Sequence, residues 1–180
     1  MSLFKKEQGD LKVVRPPVLG WLEKKLSDKE MDYLWRCIDN HKKSIKSTLI
    51  GQIHESNDLI DKSDWFFNNT QKQNEFNPLH NHNGVYSFVI WMKIPTKHNE
   101  QNNNPISSRA NAHLISAFQF SYQDIIGGYR TRTYKMNPEI EGTMLFFPAK
   151  LQHCVHPFYN CDEDRISISG NISLNTAKLL

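Results

Sequence analysis

The sequence predicts a mainly β fold, an antiparallel sandwich or barrel, with helices ahead of it. Three observations carry this. From Phe76 onward the apolar period changes from 3.6 to 2. The segments with the shorter period are brief and rich in β-branched and aromatic residues. Gly, Pro or Asn punctuates the gaps between them, a spacing common in all-β sandwiches and barrels.

The helical part is expected over about residues 20–73. "SDKEMDYLWRCIDNHKK" opens at Ser27 with Glu30 three residues later, the capping-box pattern. Met31, Leu34, Trp35 and Ile38 recur at i, i+3, i+4, i+7 and form one apolar stripe that should pack on the core. A second short helix is expected at "KSDWFFNNTQKQ", capped by Ser63. The β core is expected over about 74–175, with strands at "VYSFVIWMKI", "LISAFQFSYQ", "YRTRTYKM", "GTMLFFP" and "RISISGNIS". Between Pro95 and His113 the chain is too polar for a core and reads as a long surface loop, of a length that often covers a site. No internal repeat and no second domain is visible, so residues 1–180 read as a single domain of ordinary size.

Composition narrows the class. Hydrophobic residues make up 38% and charged residues 23%, as in a soluble globular protein. The formal net charge is only +3, and short lysine groups such as Lys42-Lys43 fit a solvated helix face better than a nucleic-acid groove. Cys37, Cys154 and Cys161 are odd in number and form no C-x-x-C pair. "MSLFKKEQGD" lacks the apolar core of a signal peptide, and no apolar run approaches the roughly 18–20 residues of a bilayer span. A cytoplasmic protein with free thiols and no membrane partner is expected.

The chemistry concentrates in two places. His80 and His82 stand at i and i+2 ahead of an apolar strand, where an extended chain points both to one face. Far along the chain, His153 follows "TMLFFP" by a short link, and Arg165 opens another strand twelve residues beyond it. In that strand Arg165, Ser167 and Ser169 share one face, and Ile166 and Ile168 the other. If the polar face looks into a barrel, an arginine and a serine there need an anionic ligand. Two histidines from one strand end and one from a distant strand can make a facial metal site, for which imidazole suits Fe, Zn, Cu and Ni. An arginine beside it can grip a carboxylate through two parallel hydrogen bonds. Metal ligands, about a dozen residues, then Arg-x-Ser is the order an iron enzyme needs when its cosubstrate is a keto acid.

With "HNHNGVYSFVIWMKIP" and "EGTMLFFPAKLQHCVHPFYNCDEDRISISGNI" in place, the stretch from about Asn74 to Asn171 resembles the 2-oxoglutarate and Fe(II)-dependent oxygenases. It is most similar to the prolyl-4-hydroxylase-like branch and to small phage-encoded members of it. The resemblance implies a double-stranded β-helix, a jelly-roll, cupin-like barrel open at one end, with the N-terminal helices packed on one sheet. It implies that His80 and His153 hold Fe(II), and that Arg165, assisted by Ser167, binds the distal carboxylate of 2-oxoglutarate. The family's His-x-Asp/Glu carries His82 at its third position here, so the implied metal set is His80, His82 and His153. Dioxygen and 2-oxoglutarate would be consumed, with hydroxylation the default outcome; the resemblance suggests a peptidyl, prolyl-like residue, while a protein side chain, a nucleic-acid base and a small metabolite all stay open as substrates. A phage-encoded chain would work in the host cytoplasm.

Two rivals stand beside this reading. A cupin-type dioxygenase also uses three histidines but no keto acid, and only the keto-acid enzyme requires Arg165. A non-enzymatic jelly-roll binding or structural module requires no stoichiometric metal. Other clusters read more simply. "HCVH" with Cys161 lacks paired C-x-x-C elements for zinc, and a strand edge should send His153 and His156 to opposite faces. Arg165 in "DEDR" has a plainer reading as a surface ion pair with Asp162 or Glu163. Tyr86, Ser87 and Trp91 are either pocket or core, and Tyr129, Arg130 and Arg132 either reach substrate or line a solvated edge. His41, His54, His98 and His113 are isolated and receive no role.

Overall fold

The computed structural model describes residues 12–14, 20–40, 43–44, 57–59 and 67–174. Its strands are β1 (Lys12–Val14), β2 (Trp21–Lys25), β3 (Lys43–Ser44), β4 (Asn57–Leu59), β5 (Phe67–Gln71), β6 (Asn77–His80), β7 (Tyr86–Lys93), β8 (Ala117–Gln123), β9 (Tyr129–Lys135), β10 (Thr143–Pro148), β11 (Gln152–Val155) and β12 (Arg165–Ile172). Helices α1 (Asp28–Asn40) and α2 (His98–Asn102) interrupt them.

The strands form two antiparallel sheets. The larger has the order β1-β2-β10-β7-β12-β5-β4-β3, and the smaller β6-β11-β8-β9. From β5 onward the pairing is nested. β8 pairs with β9, β7 with β10, β6 with β11 and β5 with β12. One long hairpin is thus folded over itself, with successive pairs assigned to alternate sheets. That is the double-stranded β-helix. The two sheets face each other without hydrogen-bonded closure, so the arrangement is a wound sandwich and not a closed barrel.

Period-2 patterning explains why these residues build two layers. In β10, Leu145 and Phe147 point inward and are fully buried; in β8, Phe118 and Phe120 do the same. With Trp21, Val89, Trp91, Ile94 and Met136 they fill the space between the sheets. A second cluster lies on the outer face of the larger sheet, where Ile90, Met92 and Ile168 meet Met31, Leu34, Trp35 and Ile38 of α1. The helix stripe expected from the sequence therefore packs on one sheet. Its start is the expected capping box: the Ser27 amide donates to Glu30 Oε2 at 2.7 Å, and the Glu30 amide donates to Ser27 Oγ at 3.4 Å.

Three expectations need correction. The region 20–73 is not all helical, because β2, β3, β4 and β5 belong to the larger sheet and α1 is the one helix described there. The segment expected as a second helix contains β5, whose polar side chains have cross-strand partners; Asn69 Nδ2 donates to Ser169 Oγ at 2.8 Å. Ser63, its expected cap, lies outside the described residues. The polar stretch after Pro95 is also not simply a surface loop. It contains α2 and buries His98, Gln101 and Ser107. Gln101 ties it down: its Nε2 donates to the Tyr159 carbonyl and its Oε1 accepts from the Tyr159 amide, both at 2.8 Å. Among the described residues, no helix is long and apolar enough to cross a membrane.

Candidate metal centre

A cavity of about 360 Å³ opens between the two sheets. His80, at the end of β6, and His153, on β11, are direct register partners on its smaller-sheet wall. The sequence places His153 after a strand by a short link; in the structure it has its own strand. His82 follows two residues beyond His80, and its amide donates to the Ala149 carbonyl at 2.8 Å. Gly84 then turns the chain into β7 with φ +99°, and a side chain there would meet the Ile172 carbonyl at 2.7 Å.

The three imidazoles converge: one ring nitrogen from each lies within 4.8 Å of the others. Their inner atoms are identified by what holds the outer ones. His80 Nδ1 lies 2.6 Å from the Pro78 carbonyl, and His153 Nδ1 lies 3.0 Å from that of Leu151. A carbonyl only accepts, so each Nδ1 donates, and in the neutral tautomer Nε2 is the atom left with a lone pair. This carbonyl-backed arrangement is how metal-binding histidines are commonly oriented. His82 Nε2 lies 3.1 Å from His153 Nε2. Burial, with His80 close by, lowers the pKa of His82 to about 4 and that of His153 to about 3. Both are therefore neutral at pH 7, the state a metal ligand needs. Phe118 and Phe147 flank His153, with ring centroids 5.6 and 5.0 Å away. The donor set and its buttressing fit a divalent transition metal. Among the described residues the group contains no carboxylate.

Arg165 enters the same cavity from the larger sheet and is only 3% exposed. Its guanidinium donates from Nε and Nη2 to Gln71 Oε1 at 3.1 and 2.7 Å, and from Nη2 to the His156 carbonyl at 2.7 Å. Nη1 reaches Ser116 Oγ at 3.5 Å, and Phe158 lies under the cation with its centroid 5.1 Å from Cζ. Every one of these partners is neutral. Burial pushes the arginine down from 12.5 to about 9, which leaves it charged at pH 7. The surface ion pair is not formed, because Glu163 pairs with Lys93 at 2.8 Å and Asp162 accepts from Gln73. A buried cation among neutral groups is stabilised when an anion reaches it.

The five residues singled out in the sequence, His80, His82, His153, Arg165 and Ser167, all line this one cavity. Trp91 lines it too, and Ser87 is buried beside it, donating to Asn171 Oδ1 at 2.7 Å. Tyr86 is exposed and stacks on Phe146. Arg130 is tied to Asp124, and the Arg132 guanidinium lies 5.7 Å from the Tyr134 ring centroid. Cys154 is half-buried, with Sγ 3.4 Å from His156 Nε2. Sequence reasoning missed Asn69, Gln71, Asn77, Asn81, Asn83 and Asn171 on the cavity wall. Their only signal was the alternation of polar residues flanking the motifs.

Residues 65–171, more than half of the chain, match a family model described as "Putative 2OG-Fe(II) oxygenase". Among solved structures, the chain is similar to the crystal structure of a prolyl-4-hydroxylase from Pseudomonas putida, at 13% identity over 89% of this chain and 76% of that one, with a TM-score of 0.36. No curated protein matches the chain.

Proposed function

The chain belongs to the 2OG-Fe(II) oxygenase family, and from that premise we propose that it is a non-haem dioxygenase in which His80, His82 and His153 hold Fe(II) while Arg165, with Ser167, anchors 2-oxoglutarate. One observation carries the reading: three inward-facing imidazoles line a single cavity with a buried arginine that has no carboxylate partner among the described residues. Bound iron would supply the coupling of keto-acid decarboxylation to hydroxylation of a substrate C–H bond with dioxygen. The chain's own part is placement. The Pro78 and Leu151 carbonyls hold two rings in the ligating tautomer. Phe118 and Phe147 pack on the His153 ring and would shield one side of a bound metal from solvent. Arg165 supplies the charge that a distal carboxylate must meet.

A three-histidine dioxygenase that uses no keto acid would have no need of a buried arginine left without an anion. Hydroxylation of a peptidyl, prolyl-like residue is the favoured reaction. The amide-rich lining is compatible with an uncharged substrate group, since Asn81, Asn83 and Asn171 line the cavity and, among the described residues, no Asp or Glu does.

Calorimetric titration tests the proposal. Mn(II), standing in for Fe(II), should bind one to one, and 2-oxoglutarate should follow. With Fe(II) under anaerobic conditions the complex should show the weak visible band of a chelated keto acid. Arg165→Ala should weaken the keto acid by roughly 2–5 kcal/mol while sparing the metal. Absence of both heat and band, or equal keto-acid affinity in Arg165→Ala and parent, would overturn it.

A further inference from the structure

Arg165 does not present its guanidinium freely. Of its five N–H groups, three are already committed: Nε–H and one Nη2–H to Gln71 Oε1, and the other Nη2–H to the His156 carbonyl. The Nε–Nη2 edge, one of two that can grip a carboxylate with parallel hydrogen bonds, is therefore closed by a carboxamide, and the Nη1–Nη2 edge is engaged at Nη2 by the His156 carbonyl. Nη1, whose one contact is at 3.5 Å, is left for an incoming anion.

Gln71 is itself held. It is 6% exposed and stands opposite Arg165 in the β5–β12 register. Its Nε2 donates to the Glu75 carbonyl, which fixes the amide with Oε1 toward the arginine. The Lys72 amide donates to Glu75 Oε2 at 2.7 Å, and the Asn74 amide donates to the Phe158 carbonyl at 2.9 Å, so the turn after β5 is tied to the loop beneath the guanidinium. The residue type matters. A buried arginine with a purely structural role is best matched by a carboxylate, which satisfies its donors and its charge together. Glutamine has the same length as glutamate, satisfies the same donors and leaves the charge unspent.

Resting on the keto-acid reading above, we propose that Gln71 is a positioning residue that fixes which edge of Arg165 meets the cosubstrate and so sets the length of keto diacid the site accepts.

The test is titration of the Mn(II)-loaded full chain with 2-oxoglutarate, with oxaloacetate, one methylene shorter, and with 2-oxoadipate, one methylene longer. Gln71→Glu places a competing anion on Arg165 and should weaken 2-oxoglutarate at least about tenfold with Mn(II) affinity unchanged. Gln71→Ala frees the arginine to shift, so the affinities for the three diacids should converge to within about threefold of one another. Simple loss of packing would weaken all three in parallel and keep their ratios. The proposal is overturned if Gln71→Ala keeps the parent's ratios or if Gln71→Glu binds 2-oxoglutarate as the parent does. These outcomes remain separate from failure of the functional reading, which is marked by an Arg165→Ala variant that binds 2-oxoglutarate undiminished.

Discussion

His82 leaves the metal group without an anionic member. Three imidazoles would not offset the charge of a bound ion, so a keto acid bound there would do more of that work than it would beside a carboxylate. His82 Nε2 lies 3.1 Å from His153 Nε2, close enough for one cation to share both lone pairs. His82→Ala should therefore weaken Mn(II) at least about tenfold, whereas His82→Asp should retain it, read by calorimetry. Parent-like metal affinity in His82→Ala would reduce the ligand set to two histidines. At this scale the histidines, Arg165 and Ser167 of the cavity wall were legible because the residue types are chemically specific and their spacing resembles a known family's. Gln71 and the asparagines were not, because an amide is ordinary on any polar surface. Only the pairing of β5 with β12 turns Asn69 and Gln71 toward a cavity.

Helix α1 lies on the outer face of the larger sheet, away from the cavity wall. Its capping box serves stability alone. Glu30 also pairs with Lys24 at 2.6 Å, and that bond, with the Ser27 amide, lowers its pKa to about 2. Ser27→Ala should cost about 1 kcal/mol, or about 2–4 °C in Tm, with no change in Mn(II) or 2-oxoglutarate affinity. A melting curve beside a titration checks both halves. The strands with apolar alternation, β7, β8, β9, β10 and β12, were legible from their period. β5, β6 and β11 were not. They are four or five residues long and carry polar side chains that line the cavity, so the apolar alternation that marks a strand is missing from them.

For the molecule as a whole, burial of neutral histidines makes stability depend on acidity. His82 and His153 have folded pKa values of about 4 and 3 against 6.5, and burial lowers His98 and His156 in the same direction. As pH falls below about 6.5, the unfolded chain takes up protons that the folded chain refuses. Stability of the metal-free protein, fully present above that value, should decline toward pH 4 and below. A Tm that stays level between pH 7 and 5 would contradict it. Saturating Mn(II) should raise Tm at pH 7, because the ion binds only the folded form. The nested pairing has a further consequence, for the order of assembly. Gln71 and Arg165 belong to the outermost pair and are separated by 94 residues, whereas Gln123 and Tyr129 close the innermost hairpin. Closing the longer loop costs roughly 2 kcal/mol more in chain entropy if nothing has formed inside it. Prior closure of the inner turns shortens that loop, so loop entropy favours late pairing of Gln71 with Arg165. With Arg165 as the proposed anchor, cosubstrate binding would wait on closure of this outermost strand pair.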